Sequence, residues 1–250
     1  MTEFPHIQLT DVPWLSTEEM VEVDRLMEEV YGIQLIQMME NAGRGLALVA
    51  KHLLGGTIYG KKVVVIAGTG GNGGGAMVAA RRLHMWGATV EVYITKPDKL
   101  TPIPLHQYNI LQKLDMTLDS GEELVQKEVI EADLVLDGII GYSLSGNPKG
   151  IAGEMIRWAN RQKAPILSLD TPSGISLTTG QIYEPVIQAA ATMTIALPKK
   201  GLFTEKVKSI RGDLYLGDIS VPDELYAEKT LGVRLKAIFA QSDVLRLLDA

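Results

Sequence analysis

The chain contains no cysteine, which excludes disulfides, thiolate metal sites, iron–sulfur clusters and a catalytic thiol. Histidine is scarce as well, at four residues. His6, His52, His84 and His106 lie in the N-terminal tail or on predicted helices, none with a partner at metal-ligand spacing, so they read as structural or surface groups. No G-x-S-x-G elbow is present, and serine-hydrolase chemistry is disfavoured. Basic charge is not in excess: 24 Lys and Arg face 30 Asp and Glu, a net charge of −6, so no global field recruits phosphate backbones and no nucleic-acid partner is expected. No apolar run approaches the roughly 20 residues that span a bilayer, so no membrane role is expected either. The opening MTEFPHIQLTDVPWL carries Glu, His and Asp where a secretory leader needs a basic and then an apolar stretch, and the expected location is the cytoplasm.

What is present is a chain of 250 residues with 46% hydrophobic and 22% charged residues, a folded composition expected to form one domain over residues 1–250. Ser16 and Glu19 have capping-box spacing, flanked by Leu15 and Met20 as a hydrophobic staple. Met20, Val23, Met27 and Val30, then Leu35, Met38, Met39, Ala42, Leu46 and Val49, predict two helices before the first strand. Strands follow at Lys62–Ala67, Thr89–Ile94, Asp133–Leu136, Pro165–Leu169, Thr192–Leu197 and Asp213–Ile219. Between them stand helices at Ala76–Trp86, Pro104–Leu114, Glu122–Ala132 and Ile151–Gln162, with a closing helix at Asp243–Leu248. Apolar strands alternating with helices predict an α/β fold: a doubly wound, mostly parallel sheet with helices on both faces, a three-layer αβα sandwich.

Directly after the first predicted strand, positions 68–75 hold six glycines, broken by Thr69 and Asn72. Glycines at a strand-to-helix junction let the backbone approach a phosphate, and the helix N-terminus aims free N–H groups at it. Gly68, Gly70 and Gly73 also satisfy G-x-G-x-x-G, which raises a dinucleotide-dependent dehydrogenase as a rival. That reading expects a ribose-binding acid ending the next strand, where this chain has Ile94-Thr95. Two later strands end in acids beside glycine-containing loops: Asp137 before Gly138-Ile139-Ile140-Gly141-Tyr142-Ser143-Leu144-Ser145-Gly146, and Asp170 before Thr171-Pro172-Ser173-Gly174. An isolated acid there is often a turn former, but two in one context point to a shared cleft. Oxygens of Asn72, Asp137 and Ser173 suit a hard cation, and Asp170 suits ribose hydroxyls or proton transfer.

These blocks, together with Met39-Glu40-Asn41-Ala42-Gly43-Arg44 and Leu197-Pro198-Lys199-Lys200-Gly201-Leu202, resemble the YjeF N-terminal domain family over roughly residues 14–222. That family's enzymes are NAD(P)H-hydrate epimerases, which interconvert R and S forms of NADHX and NADPHX, hydrated and damaged nicotinamide cofactors. The resemblance implies a Rossmann-like sheet, a homodimer, and potassium held by Asn72, Asp137 and Ser173. It further implies substrate contacts at Gly71, Asn72, Gly73, Gly74 and Gly75, at Gly141, Tyr142, Ser143, Leu144, Ser145, Gly146 and Asn147, and at Asp170. Asp137 or Asp170 would then act as the catalytic acid or base. The family's loop usually reads N-N-G-G-D-G, whereas Gly71 and Gly75 here replace its first Asn and its Asp. A weakly catalytic relative that binds a nucleotide-like ligand or a protein partner is the alternative. No fused dehydratase module is expected in this chain, so the consumer of the product would be a separate NAD(P)HX dehydratase.

Overall fold

A computed structural model describes residues 3–228, 231–235 and 237–249; the expected domain limits, 1 and 250, lie outside them. The elements are β1 (His6–Gln8), α1 (Thr17–Glu29), α2 (Leu35–Leu53), β2 (Lys62–Ala67), α3 (Gly71–Met85), β3 (Thr89–Ile94), α4 (Pro102–Lys113), β4 (Thr117–Ser120) and α5 (Gly121–Val125). There follow β5 (Leu134–Gly138), α6 (Gly150–Asn160), β6 (Ile166–Leu169), β7 (Ala191–Ile195), α7 (Glu205–Arg211), β8 (Asp213–Gly217), α8 (Asp223–Tyr226) and β9 (Val244–Leu248). One sheet joins the strands in the order β1-β9-β8-β7-β6-β5-β2-β3-β4. Neighbours are parallel except β8 and β9, which are antiparallel.

Alternation along β2 feeds two cores. Val63, Val65 and Ala67 join one cluster with Leu46 of α2 and Met77 and Leu83 of α3, while Val64 and Ile66 join another with Leu124 of α5 and Ile156 and Trp158 of α6. Helices therefore cover both faces, as the α/β sandwich reading requires. At α1 the capping box forms: Glu19 N–H donates to Ser16 Oγ at 3.2 Å, and Ser16 N–H to Glu19 Oε2 at 2.6 Å.

Four local expectations change. The segment Asp243–Leu248 is not helical: Val244–Leu248 forms β9, whose short apolar run is read as strand only because β8 and β1 flank it. Strands β1 and β4 are three and four residues long, too short and polar to signal themselves. The helix expected over Glu122–Ala132 stops at Val125. There side chains of α6 and of the turn after it take the backbone groups that a longer helix would pair internally: Trp158 Nε1 donates to the Lys127 carbonyl at 2.8 Å, and Ile130 N–H donates to Gln162 Oε1 at 3.1 Å.

The fourth change concerns the glycine run, since α3 begins at Gly71 and not at Ala76. Glycine is a poor helix former, yet at Gly73, Gly74 and Gly75 the missing side chain admits a neighbour. A Cβ on Gly73 would lie 2.0 Å from the Gly68 carbonyl oxygen, and one on Gly74 would lie 2.4 Å from Met39 Sδ of α2. At Gly75 the one close contact would be Leu169 Cδ2, at 2.7 Å, the tip of a side chain that can turn aside, with Ala42 Cβ at an ordinary 3.9 Å. Gly71 faces open space. Gly73→Ala should therefore cost about 1–3 kcal/mol by overpacking against fixed backbone. Gly71→Ala should be neutral or add up to about 1 kcal/mol by reducing unfolded-chain entropy. Urea unfolding of both variants checks this, and equal midpoints would refute the packing role of Gly73.

Candidate active site

After β2 the chain builds β3 and β4 to one side, then returns to place β5 on the other side of β2. The crevice beyond the C-terminal ends of β2 and β5 is thus the switch point at which open α/β sheets bind ligands. A cavity of about 450 Å³ occupies it. Met20 and Asp24 of α1 and Leu35, Met38, Met39 and Ala42 of α2 form a largely apolar wall. The sheet-edge wall is polar, with Thr69, Gly70, Gly71 and Asn72 after β2, Ile139 to Ser143 after β5, and Leu169 and Asp170 at the end of β6.

Asp137 is fully buried behind this wall and accepts four hydrogen bonds. Ser173 Oγ (2.7 Å) and Ile139 N–H (3.2 Å) donate to Oδ1, while Ser168 Oγ (2.8 Å) and Ser173 N–H (2.9 Å) donate to Oδ2. Burial pushes its pKa upward and these donors oppose the shift. Among the described residues no lysine or arginine is paired with it.

Asp170 is held differently. Its φ of 65° is left-handed, a conformation Asp tolerates better than most residues, and its N–H is anchored to the Met193 carbonyl at 2.7 Å. Oδ1 accepts from Lys199 Nζ at 2.6 Å, and Lys199, itself fully buried, also donates to the Ile195 carbonyl at 2.8 Å. Oδ2 has no hydrogen-bond partner among the described residues and points at Gly141, where an added Cβ would be 3.4 Å away. The Asn72 amide carbon lies equally near that point, at 3.4 Å. Asn72 and Asp170 therefore converge across Gly141, and the absence of a side chain there keeps the gap open.

Of the residues singled out in the sequence, Gly71, Asn72, Gly141, Tyr142, Ser143 and Asp170 line the cavity. Gly73, Gly74 and Gly75 do not; they are buried where α3 packs. Leu144, Ser145, Gly146 and Asn147 continue the loop away from the lining, and Asn147 Oδ1 accepts from Glu184 N–H at 3.2 Å. Asp137 and Ser173 are bonded to each other one layer below the lining, so of the two acids singled out in the sequence Asp170 is the one that borders the cavity.

Two residues escaped the sequence reading as site groups. Lys199 is brought to Asp170 by a parallel bridge to Leu15, in which Leu15 N–H donates to the Pro198 carbonyl and Lys200 N–H to the Leu15 carbonyl, both at 2.9 Å. Nothing in Lys199-Lys200 distinguishes the buried lysine from its half-exposed neighbour. Asp24 accepts from Tyr142 Oη at 2.7 Å. Its only signal was an acid one turn after Met20, at the edge of an apolar helix stripe.

Comparison with known proteins agrees with this geometry. Residues 35–201 match the family described as YjeF-related protein N-terminus. An NAD(P)H-hydrate epimerase of Dehalogenimonas lykanthroporepellens is 41% identical over 214 residues, covering 85% of this chain and 84% of the relative. A bifunctional NAD(P)H-hydrate repair enzyme of Moorella thermoacetica is 34% identical over 88% of this chain, which spans 43% of that longer protein. The crystal structure of the yeast protein ynu0 superposes with a TM-score of 0.77 at 26% identity, over 94% of this chain and all of that one. Sheet order, switch-point cavity and sequence agree, and the chain belongs to the YjeF-related N-terminal domain family.

Proposed function

We propose that this protein epimerises R- and S-NADHX and R- and S-NADPHX in the repair of hydrated nicotinamide nucleotides. The observation that carries the reading is the open Oδ2 of Asp170, braced by a buried lysine and aimed across Gly141 at Asn72 in the switch-point cavity. Family membership and the 41% identical epimerase support it. Thr69 to Gly71, at the exposed N-terminus of α3, offer backbone donors to substrate phosphates. Asp170 is the base, and Lys199 balances its charge and fixes its rotamer. The expected setting is a homodimer in the cytoplasm whose S product passes to an NAD(P)HX dehydratase. Among the described residues no helix is long and apolar enough to cross a membrane.

The residues beneath the cavity fit a potassium ion. Among the described residues no cluster of three or more His, Asp or Glu is placed to hold a metal, so a site here rests on one carboxylate and neutral oxygens, a donor set for a hard monovalent cation. Asp137 is a buried carboxyl that no lysine or arginine neutralises among the described residues, and Ser173 lies against it. Asn72 Nδ2 is buried without a partner among the described residues, and rotating the amide by half a turn would present its oxygen instead. Asn72, Asp137 and Ser173 would hold the ion. Bound there, it would supply a fixed positive charge that neutralises Asp137 and orders the two loops. Exchanging potassium for tetramethylammonium should lower the melting temperature of the wild type, and Asp137→Asn should be less stable and indifferent to the exchange. An unchanged potassium response in Asp137→Asn would rule out this ion site.

Function is tested by supplying an R/S mixture of NADHX with an S-specific dehydratase. The protein should accelerate consumption of the R form well above its spontaneous rate; R consumption at the spontaneous rate would leave ligand binding alone. Asp170→Ala should abolish turnover and also destabilise the fold by about 3–5 kcal/mol, because it strands a buried lysine. Replacing the pair together, Asp170→Leu with Lys199→Met, should recover most of that stability and none of the activity. Urea unfolding and the coupled assay separate the two roles.

A further inference from the structure

Asp24 and Asp170 reach the cavity from different walls, Asp24 from α1 and Asp170 from the end of β6. Each spends one carboxylate oxygen on a protein donor and leaves the other without a hydrogen-bond partner among the described residues. In Asp24, Oδ2 accepts from Tyr142 Oη at 2.7 Å and Oδ1 is open; in Asp170, Oδ1 accepts from Lys199 and Oδ2 is open. They differ in countercharge. Asp170 touches an ammonium, whereas no ion pair reaches Asp24 among the described residues. The titratable groups around Asp24 are Glu28 on its own helix, Tyr142 from the loop after β5, Asp170, Lys199, and Tyr226 from α8. Burial raises the pKa of Asp24, with Asp170 and Glu28 adding to the rise and Tyr142 and Lys199 opposing it. Two carboxyls in one cavity, one with a countercharge and one without, are the arrangement that separates an acid from a base.

Resting on the epimerase reading, we infer that Asp24 is a second catalytic residue, the acid that protonates the departing hydroxyl while Asp170 takes the proton of the returning water. In a hydrated dihydronicotinamide the hydroxyl stands on the ring carbon beside the ring nitrogen, because an enamine accepts the water oxygen there. The Asp24 carboxyl gives its proton to that hydroxyl. The carbon–oxygen bond breaks, its electron pair leaves with oxygen as water, and the nitrogen lone pair forms a carbon–nitrogen double bond. Water then adds to the other face of the same carbon, the double-bond pair returns to nitrogen, and the surplus proton passes to Asp170 Oδ2. One proton has moved from Asp24 to Asp170, no oxidant or reductant is needed, and the opposite epimer runs the sequence backwards. Tyr142 is a positioning residue in this scheme, since its hydroxyl fixes the Asp24 carboxyl.

The test is the pH dependence of kcat for R-NADHX in the wild type, Asp24→Asn and Tyr142→Phe, with melting temperatures as the folding control. Wild-type kcat should fall as pH rises through the Asp24 pKa, because the acid form is lost. Asp24→Asn should lower kcat by about 10²–10⁴-fold with little change in KM and should lack that limb. Tyr142→Phe removes the donor that favours the ionised carboxyl, so the limb should remain and move to higher pH. A folded Asp24→Asn within threefold of wild-type kcat, or a limb that stays in place in both variants, overturns the assignment to Asp24 and leaves the epimerase reading standing. A wild type with no rate above the spontaneous one overturns both.

Discussion

The site depends on the Asp137 carboxylate. Three of its four accepted hydrogen bonds join the end of β5 to Ser168 within β6 and to Ser173 in the loop after β6, and the fourth comes from Ile139 N–H in its own loop. Ile140 N–H in turn donates to Ser173 Oγ at 2.9 Å, so the loop that carries Gly141 and Tyr142 is tied to the loop that follows Asp170. A neutral side chain in this place would leave several buried donors short of acceptors, each costing about 1–3 kcal/mol. Two loops that would otherwise move separately become one rigid rim around the cavity, and the open oxygen of Asp170 keeps its aim at Asn72.

Strands β2 and β3 were legible to the residue, Lys62–Ala67 and Thr89–Ile94, because each is short, rich in β-branched and aromatic residues, and mostly buried, from Val63 onward in β2 and at Val90 and Val92 to Ile94 in β3. Legibility faded where pairing partners decide the outcome. Val244–Leu248 carries too little pattern to choose between helix and strand, and it becomes a strand because β8 and β1 leave a gap of one strand between them. Within the site, Asp170 and Asn72 were legible because each follows a strand in a glycine-containing loop. Lys199 and Asp24 were not, because the distance between either one and the cavity is a property of tertiary packing that spacing along the chain does not encode.

The glycine run shows two demands sharing one segment. Read as sequence, six glycines at the strand end suggest a phosphate cradle, and Gly70 and Gly71 do border the cavity. Gly73 and Gly74 serve something else: they let α3 come down onto the β2 turn and onto α2, the most extensive helix–helix packing in the fold. Both demands have the same physical root, the absence of a Cβ where backbone or a neighbour must come close. The run is therefore divided by packing, with Gly70 and Gly71 at the cavity and Gly73 to Gly75 buried inside the helix layer.

The cavity accepts features that a purely stable protein would avoid. Asp170 adopts a left-handed backbone, and the Lys199–Asp170 pair is buried apart from the edge of Asp170 at the cavity, an arrangement in which desolvation often exceeds the Coulombic gain. Both can persist because the surroundings over-determine them. Asp170 is clamped between the sheet and the Met193 carbonyl, and Lys199 is carried on a segment bridged to Leu15, which is itself fully buried. The strain therefore sits on the frame and not on a mobile loop, and it holds a charged oxygen at the cavity edge with little freedom to turn away. An acid left to solvent would keep its charge more cheaply but would have to be oriented anew in each encounter with a ligand, and orientation is what the proposed transfer of a proton from an adding water to Asp170 requires.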